Sequence, residues 1–296
     1  MKTSVIALAA ALLIAPGVFA QEHMEHMAPA ASAAAASSVS QDWAKHAVDT
    51  SPRHHEWVNV KSGDHVVSAF VVYPEVKNKP AAVVVIHEIF GMSDWVQMLA
   101  GEVAAEGYIA IAPDLLSGMG PNGGGTSAFA DGTAVGKAIR DLPPDRITAD
   151  LNAVADYVAK VPAANGKVSV AGFCWGGTQA FRFATNRPSL TAAYVFYGTG
   201  PESADAVAAI KAPVYGFYAG NDARVGATIP ATQQLMKAAG KTYEPVTYDG
   251  AGHGFMRAGD APPPPATADE KTRTAYAGNK KARDDAWARW KKLLGR

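Results

Sequence analysis

A cysteine stands in the sequence where a nucleophile could be held and activated. The apolar run VSVAG ends at Gly172, continues as FCWGG, and is followed by the helix-like segment TQAFRFATN. This is the G-x-S-x-G nucleophile elbow with Cys174 in place of the serine. A sharp strand-to-helix turn is predicted here, and Gly172 and Gly176 let its backbones pass closely. The helix N-terminus, with its free N–H groups and dipole, favours a thiolate.

An aspartate and a histidine follow in the order that such a nucleophile requires. Asp222 comes just after the apolar run Val214–Tyr218, and His253 lies in the segment DGAGHGF after Tyr243–Tyr248. Open α/β sheets place their sites at the carboxyl ends of strands. His253 would hold Cys174 as a thiolate and then protonate the leaving group, while Asp222 fixes the imidazole tautomer. Taken singly, these residues could be an inert core thiol, a turn residue and a loop residue.

Strands that alternate with helices are predicted to position these three residues. Short β-branched runs lie at Val66–Tyr73, Ala82–Ile86, Tyr108–Ala112, Val168–Ala171, Ala192–Phe196, Val214–Tyr218 and Tyr243–Tyr248. Helical spacing of apolar residues occurs at Val96–Glu106, Ile147–Val161 and Ala231–Ala239. This alternation predicts a single α/β domain over residues 51–296, with a mostly parallel central sheet and helices on both faces.

Two segments interrupt this alternation. Ser117–Thr126 is glycine-rich but lacks the lysine and spacing of a P-loop, so we predict a mobile surface loop near a site. The run Pro262–Pro265 stops any helix before a final amphipathic segment, Ala277–Leu294. We predict that Trp287 and Trp290 of that segment pack against the sheet.

Composition excludes several classes of function. The chain of 296 residues has 27 Lys+Arg against 27 Asp+Glu, so no basic excess is available for nucleic acid or for an anionic membrane. A single cysteine can form neither an intramolecular disulfide nor a cysteine-based zinc site. We assign no metal and no cofactor to the activity.

The N-terminus has the pattern of a secretory signal peptide. Lys2 precedes an apolar stretch, Val5–Ile14, and small residues close the segment at Ala20. The stretch is too short to span a membrane. We therefore predict cleavage after Ala20 and a soluble periplasmic or secreted protein.

Residues 21–50 are predicted to be a low-complexity, disordered linker. They are rich in alanine and serine and offer little to bury. His23, Met24, His26 and Met27 could bind copper through imidazole and thioether groups, but four residues in such a tail are more simply read as solvated.

Four motifs together resemble the dienelactone hydrolase family of α/β-hydrolases. They are HEIFG after the second predicted strand, the elbow GFCWGG, the segment YAGNDARV and the motif GAGHGF. The resemblance covers about residues 55–296. It implies the α/β-hydrolase fold and a cofactor-free carboxylic ester or lactone hydrolase. It also implies a triad of Cys174, His253 and Asp222.

The same resemblance implies further site residues. Glu88 would lie beside the thiol, where it could take the thiol proton or hold it until substrate displaces the acid. The backbone N–H groups of Ile89 and Trp175 would form an oxyanion hole.

Arg257 is implied to bind substrate. It resembles the arginine with which the family's namesake binds the carboxylate of a dienelactone, and an arginine fork suits that anion. The namesake uses a second arginine before the elbow, for which this chain offers Arg140 and Arg146.

Two other functions fit the same residues. A non-catalytic α/β-hydrolase-like protein would keep the fold to bind a ligand. A redox protein would use Cys174 as a peroxidatic thiol and would need an external thiol for turnover. As a partner we expect a small ester or lactone substrate. We expect no binding to nucleic acid and, once the signal peptide is removed, none to a membrane. We also expect the chain to be a monomer.

Overall fold

Eight strands form the central sheet of this computed structural model, which describes residues 41–296. The predicted signal peptide and residues 21–40 of the predicted linker lie outside this range. The strands lie side by side in the order β1-β2-β4-β3-β5-β6-β7-β8. They are β1 His55–Ser62, β2 His65–Val72, β3 Ala82–Ile86, β4 Ile109–Pro113, β5 Val168–Phe173, β6 Ala193–Phe196, β7 Val214–Ala219 and β8 Tyr243–Tyr248.

The sheet is parallel from β4 to β8, and β1 and β2 add an antiparallel edge. Strands β3 to β7 are buried along their whole length, because helices cover both faces. These features confirm the predicted fold class. Strand β1 was not predicted, since this edge strand is mostly polar and only two of its residues are buried.

Helices enclose two apolar cores, one on each face of the sheet. They are α1 Asp42–Asp49, α2 Asp94–Ala105, α3 Gly132–Arg140, α4 Pro144–Lys160, α5 Trp175–Asn186, α6 Ala204–Ala209, α7 Ala223–Gly226, α8 Ile229–Ala238, α9 Phe255–Asp260 and α10 Glu270–Leu294. Alternate residues of β3 enter opposite cores, as the pleat requires. Within residues 41–296, no helix has the length and apolar character needed to cross a membrane.

The last ten residues of the predicted linker belong to the folded domain, so the linker prediction is wrong for that part. Residues 42–49 form α1, and its Ala44 is completely buried. The side chain of Gln41 accepts a hydrogen bond from the N–H of Trp95 at 3.0 Å. Helix α1 packs against α2, and this contact buries its apolar residues. Such packing stabilises a helix that is too short to be stable alone.

Two further segments differ in detail from the sequence predictions. Helix α10 begins at Glu270 rather than at residue 277, because Asp269 caps its N-terminus. Its Trp290 is fully buried against Phe196, as predicted. The glycine-rich loop is anchored rather than free. Asp114 accepts hydrogen bonds at 2.7 Å from both the N–H and the hydroxyl of Thr126.

Candidate active site

The predicted site residues meet at the carboxyl edge of the parallel sheet. Strand register brings them together: Ile86 pairs with Gly172, and Ala219 pairs with Tyr248. The segments that follow β3, β5, β7 and β8 therefore leave the sheet at one edge. These segments carry, in chain order, Glu88, Cys174, Asp222 and His253.

Cys174 forms a strained elbow between β5 and α5. Its backbone has φ +56° and ψ −118°, a region that residues other than glycine rarely adopt. A Cβ atom at Gly172 would collide with the carbonyl of Gly176, and one at Gly176 would collide with the carbonyl of His87, so both glycines are required by space, as predicted. The N–H of Cys174 donates to the carbonyl of Phe196 at 3.0 Å. The surrounding backbone thus holds the thiol in this conformation.

Cys174, His253 and Asp222 form one continuous chain of polar contacts. Sγ of Cys174 lies 3.0 Å from Nε2 of His253, and Nδ1 of His253 lies 2.5 Å from Oδ2 of Asp222. The other oxygen of Asp222 accepts the N–H of Val225 at 3.2 Å and caps α7. Asp222 therefore serves as a cap and orients the imidazole at the same time. These contacts give a thiol, a base and an orienting acid in order.

The electrostatics of this chain place positive charge next to the sulfur. Burial lowers the pKa of His253, but the hydrogen bonds with Asp222 and Cys174 outweigh it and raise that pKa to about 10. Burial likewise opposes ionisation of Asp222, yet the hydrogen bond and charge of His253 bring the pKa of Asp222 below its ordinary value. An imidazolium at this position stabilises negative charge on Sγ.

Glu88 and Arg257 bind each other. Nε of Arg257 donates to Oε2 of Glu88 at 2.8 Å, and the guanidinium lies 5.1 Å from the ring centre of Phe90. The charge of Glu88 is the main cause that raises the pKa of Arg257. The resemblance implied that Glu88 lies beside the thiol and that Arg257 binds substrate. In the structure these two side chains pair with each other, and Sγ of Cys174 contacts His253. A carboxylate that is only 3% exposed requires a charged partner, and Arg257 supplies it.

The predicted oxyanion donors lie at the ends of neighbouring strands. Trp175 is the first residue of α5, so no carbonyl one turn earlier can accept its N–H. Ile89 lies in the turn after β3, which closes with a 3.2 Å hydrogen bond from the N–H of Gly91 to the carbonyl of Glu88. This arrangement could stabilise negative charge that develops next to Sγ.

The two arginines considered for a second contact with substrate lie in different surroundings. Nη2 of Arg146 donates to the carbonyl of Ser117 at 2.8 Å, which commits this side chain to the glycine-rich loop. Arg140 lies at the exposed end of α3. The side chains of Arg140 and Ile89 both approach Gly136: a Cβ atom added to this glycine would lie 3.6 Å from Nη1 of Arg140 and 3.8 Å from Cγ1 of Ile89. Arg140 therefore lies near the site.

Sequence reasoning missed Tyr197, which lies directly under the histidine. Its ring centre is 5.1 Å from that of His253, and its backbone φ is +42°. Burial raises the pKa of its phenol well above the ordinary value. Among the described residues, no group forms a hydrogen bond with this hydroxyl. Its position directly after β6, at the carboxyl edge, was the available signal.

Residues 41–296 contain no group of three or more His, Cys, Asp or Glu side chains arranged to hold a metal ion. The four His and Met residues considered for copper lie outside the described residues.

Comparisons with known proteins identify the family of this chain. The model of the "Dienelactone hydrolase family" matches residues 67–296. A proposed carboxymethylenebutenolidase of Escherichia coli strain K12 is 32% identical over 206 residues, which cover 65% of this chain and 74% of that protein. A protein of the same description from Saccharolobus solfataricus is 29% identical and covers 78% of this chain and 94% of its own.

A solved structure is also similar. The crystal structure of a proposed dienelactone hydrolase from Klebsiella pneumoniae superposes with a TM-score of 0.67 at 27% identity. The superposition covers 82% of this chain and 99% of that one.

Proposed function

Because the chain belongs to the dienelactone hydrolase family and is a hydrolase of that type, we propose that it cleaves a carboxylic ester or lactone through an acyl-cysteine intermediate on Cys174. The observation that carries the proposal is the continuous chain from Sγ of Cys174 through His253 to Asp222, with separations of 3.0 and 2.5 Å. A thiol placed in this way has both a base and a fixed tautomer.

Acylation is the first half of the proposed reaction. With its proton held on Nε2 of the His253 imidazolium, the sulfur of Cys174 attacks the carbonyl carbon of the ester. The carbonyl oxygen becomes an oxyanion and accepts hydrogen bonds from the N–H groups of Ile89 and Trp175. The carbon–oxygen bond to the alcohol then breaks, and His253 gives its proton to the departing alkoxide. In a lactone, this alcohol stays attached to the acyl group.

Deacylation returns the enzyme to its starting state. Water donates a proton to His253 and attacks the thioester carbon. The carbon–sulfur bond breaks, the acid is released, and the proton taken from water stays on His253 beside the sulfur. Asp222 holds the imidazole in one tautomer throughout and stabilises its charged form. Each step uses only groups of this chain and water.

Arg257 contributes to substrate binding in this proposal. One edge of its guanidinium is occupied by Glu88, and a planar fork has further N–H donors that could bind a carboxylate. A Cβ atom at Gly254, the residue after His253, would lie 3.6 Å from Nη2 of Arg257, so the fork is close to the acyl group in this proposal. Arg140 is the candidate for a second contact with an anionic substrate.

We further propose that the protein is exported. The support is the N-terminal sequence, with Lys2, the apolar stretch and small residues up to Ala20. Sequencing the N-terminus of protein recovered from the periplasm tests this part, and the expected first residue is Gln21.

Hydrolysis assays test the proposed activity. Wild type is expected to hydrolyse p-nitrophenyl acetate or a dienelactone, and Cys174→Ala is expected to be inactive towards both. The ratio of the two kcat/KM values, measured again in Arg257→Met, shows how far the guanidinium favours an anionic lactone. Wild-type turnover should be unchanged by EDTA. Equal rates for wild type and Cys174→Ala, or activity lost in EDTA and restored by zinc, would contradict the proposal.

A further inference from the structure

A fully buried histidine lies directly beneath the proposed oxyanion hole and takes no part in the chemistry described above. His87 is the first residue after β3 and is 0% exposed. Its Nδ1 lies 2.8 Å from the carbonyl oxygen of Glu88, and its Nε2 lies 3.4 Å from the backbone nitrogen of Leu115. The second contact fixes the tautomer, because a backbone N–H can only donate. Nε2 must accept, so the proton is on Nδ1 and is donated to Glu88.

The surroundings keep this ring neutral. Burial lowers the pKa of His87, against the opposite effect of the nearby Asp114 carboxylate. A proton on Nε2 would also point at the N–H of Leu115 and break the contact. The neutral Nδ1–H form satisfies both neighbours at once.

The hydrogen bond to Glu88 orients the next N–H group. The carbonyl of Glu88 and the N–H of Ile89 belong to one planar, trans peptide unit, in which they point in opposite directions. The same carbonyl also accepts the N–H of Gly91 at 3.2 Å. Two donors therefore hold the carbonyl on the inner side of the turn, and this directs the N–H of Ile89 to the outer side.

His87 also contacts the residue that provides the second donor. Its ring stacks on the indole of Trp175, with ring centres 5.6 Å apart and planes 12° apart. Its own carbonyl packs so closely on Gly176 that no side chain fits there. One buried residue thus touches the turn after β3 and the first turn of α5.

We propose that neutral His87 is a positioning residue that sets both backbone donors of the oxyanion hole. The inference rests on the hydrolase mechanism proposed above. It assigns to His87 an effect on the tetrahedral intermediate and none on the reactivity of the thiol.

Two substitutions at this position test the proposal. His87→Leu removes both hydrogen bonds, while His87→Asn keeps an amide donor near the position of Nδ1. For His87→Leu, kcat towards p-nitrophenyl acetate should fall about 100- to 1,000-fold, the loss expected when an oxyanion donor is displaced. KM should stay within about threefold, because ground-state contacts remain. His87→Asn should recover kcat to within about tenfold of wild type.

Alkylation of Cys174 by iodoacetamide separates positioning from a general loss of structure. This reaction forms no oxyanion, so its rate in His87→Leu should stay within about twofold of wild type. Equal proportional losses of alkylation and hydrolysis would show a merely structural role and overturn the proposal. Unchanged hydrolysis in His87→Leu would also overturn it.

Butanal gives a readout that does not need turnover. The thiol of Cys174 adds to the aldehyde: a carbon–sulfur bond forms, the thiol proton passes to Nε2 of His253, and the aldehyde oxygen, now negatively charged, occupies the oxyanion hole. Protection of Cys174 from iodoacetamide by butanal should weaken about 100-fold in His87→Leu. If wild type hydrolyses no ester, the proposed function fails, and this protection still decides the role of His87.

Nitrogen-15 NMR of the wild type covers the case in which His87→Leu does not fold. The proposal requires a neutral His87 with its proton on Nδ1. A ring protonated on Nε2 would overturn it, because that ring cannot accept from Leu115.

Discussion

Two carboxylates belong to the candidate site, and their partners differ in kind. Asp222 pairs with His253, a base that gains and loses protons, whereas Glu88 pairs with Arg257, which stays charged at every accessible pH. The first pair can move a proton to and from Sγ, so we call it the mobile pair. The second pair keeps both of its opposite charges at the edge of the site, so we call it the fixed pair. The comparison teaches that a buried carboxylate next to a titratable base can support proton transfer, whereas one next to an arginine forms a permanent ion pair.

Removing the base should have the largest effect. His253→Ala deletes the proton acceptor, so kcat towards p-nitrophenyl acetate should fall about 10⁵- to 10⁶-fold, as in other hydrolases whose residues act as a unit. Alkylation of Cys174 at pH 7 should slow as well, because the positive ring next to the sulfur is lost. Steady-state kinetics and the alkylation rate measure both. A loss below tenfold would remove His253 from the mechanism.

Neutralising the acid of the mobile pair should have the next largest effect. Asp222→Asn keeps the shape but favours the wrong imidazole tautomer, so kcat should fall about 10³- to 10⁴-fold. Circular dichroism should show a folded protein, since the amide can still cap α7 through its oxygen. The matched control is Asp205→Asn, an exposed aspartate in α6. Equal kcat values for the two variants would contradict the assignment of Asp222.

Breaking the fixed pair should act mainly on stability. Arg257→Met leaves the buried Glu88 without its partner, so the free energy of unfolding should fall by about 3 kcal/mol. Glu88→Gln should cost less, about 1–2 kcal/mol, because its side-chain oxygen still accepts from Nε of Arg257. Urea denaturation of the two variants measures both values. If Glu88→Gln were the more damaging, the pair would not be held by the charge of Arg257.

The pH dependence of stability should distinguish the two pairs, with the smallest expected effect. The raised pKa of His253, from 6.5 to about 10, stabilises the fold fully below pH 6.5, and this contribution disappears as the pH rises towards 10. The lowered pKa of Asp222 stabilises the fold above its ordinary value of 3.8 and is lost at lower pH. The stability difference between wild type and Asp222→Asn should therefore be largest between pH 3.8 and pH 6.5.

The fixed pair provides the control for that measurement. Arg257 keeps its proton between pH 6.5 and 10, so the difference between wild type and Arg257→Met should stay flat there. Urea denaturation at several pH values measures both differences. A flat profile for Asp222→Asn would mean that His253 and Asp222 are not coupled.

The sequence predicts the mobile pair better than the fixed one. Cys174, Asp222 and His253 each follow a strand in a fixed chain order, so local pattern and strand register suffice to bring them together. Glu88 and Arg257 are 169 positions apart in the sequence. No local sequence pattern indicates that these two charged side chains pair with each other. Each residue was found, but its neighbour was not.

Packing explains what the sequence did not reveal elsewhere. Helix α1 follows a low-complexity stretch, and it is stabilised because its apolar face is buried against α2. Tyr197 looks like one more aromatic residue at the end of a buried strand, and only the fold places its ring against that of His253. The glycine-rich loop was predicted to be mobile because composition does not show that Asp114 will bind Thr126.

The most direct test of the central claim is to trap the acyl-enzyme. Wild type is mixed with p-nitrophenyl acetate, quenched rapidly in acid, digested and examined by mass spectrometry. The mechanism predicts one acetyl group on the peptide that contains Cys174, which disappears when the quench is delayed until the substrate is consumed. Turnover with no acetyl on this peptide, or with acetyl on another residue, would contradict nucleophilic catalysis by Cys174.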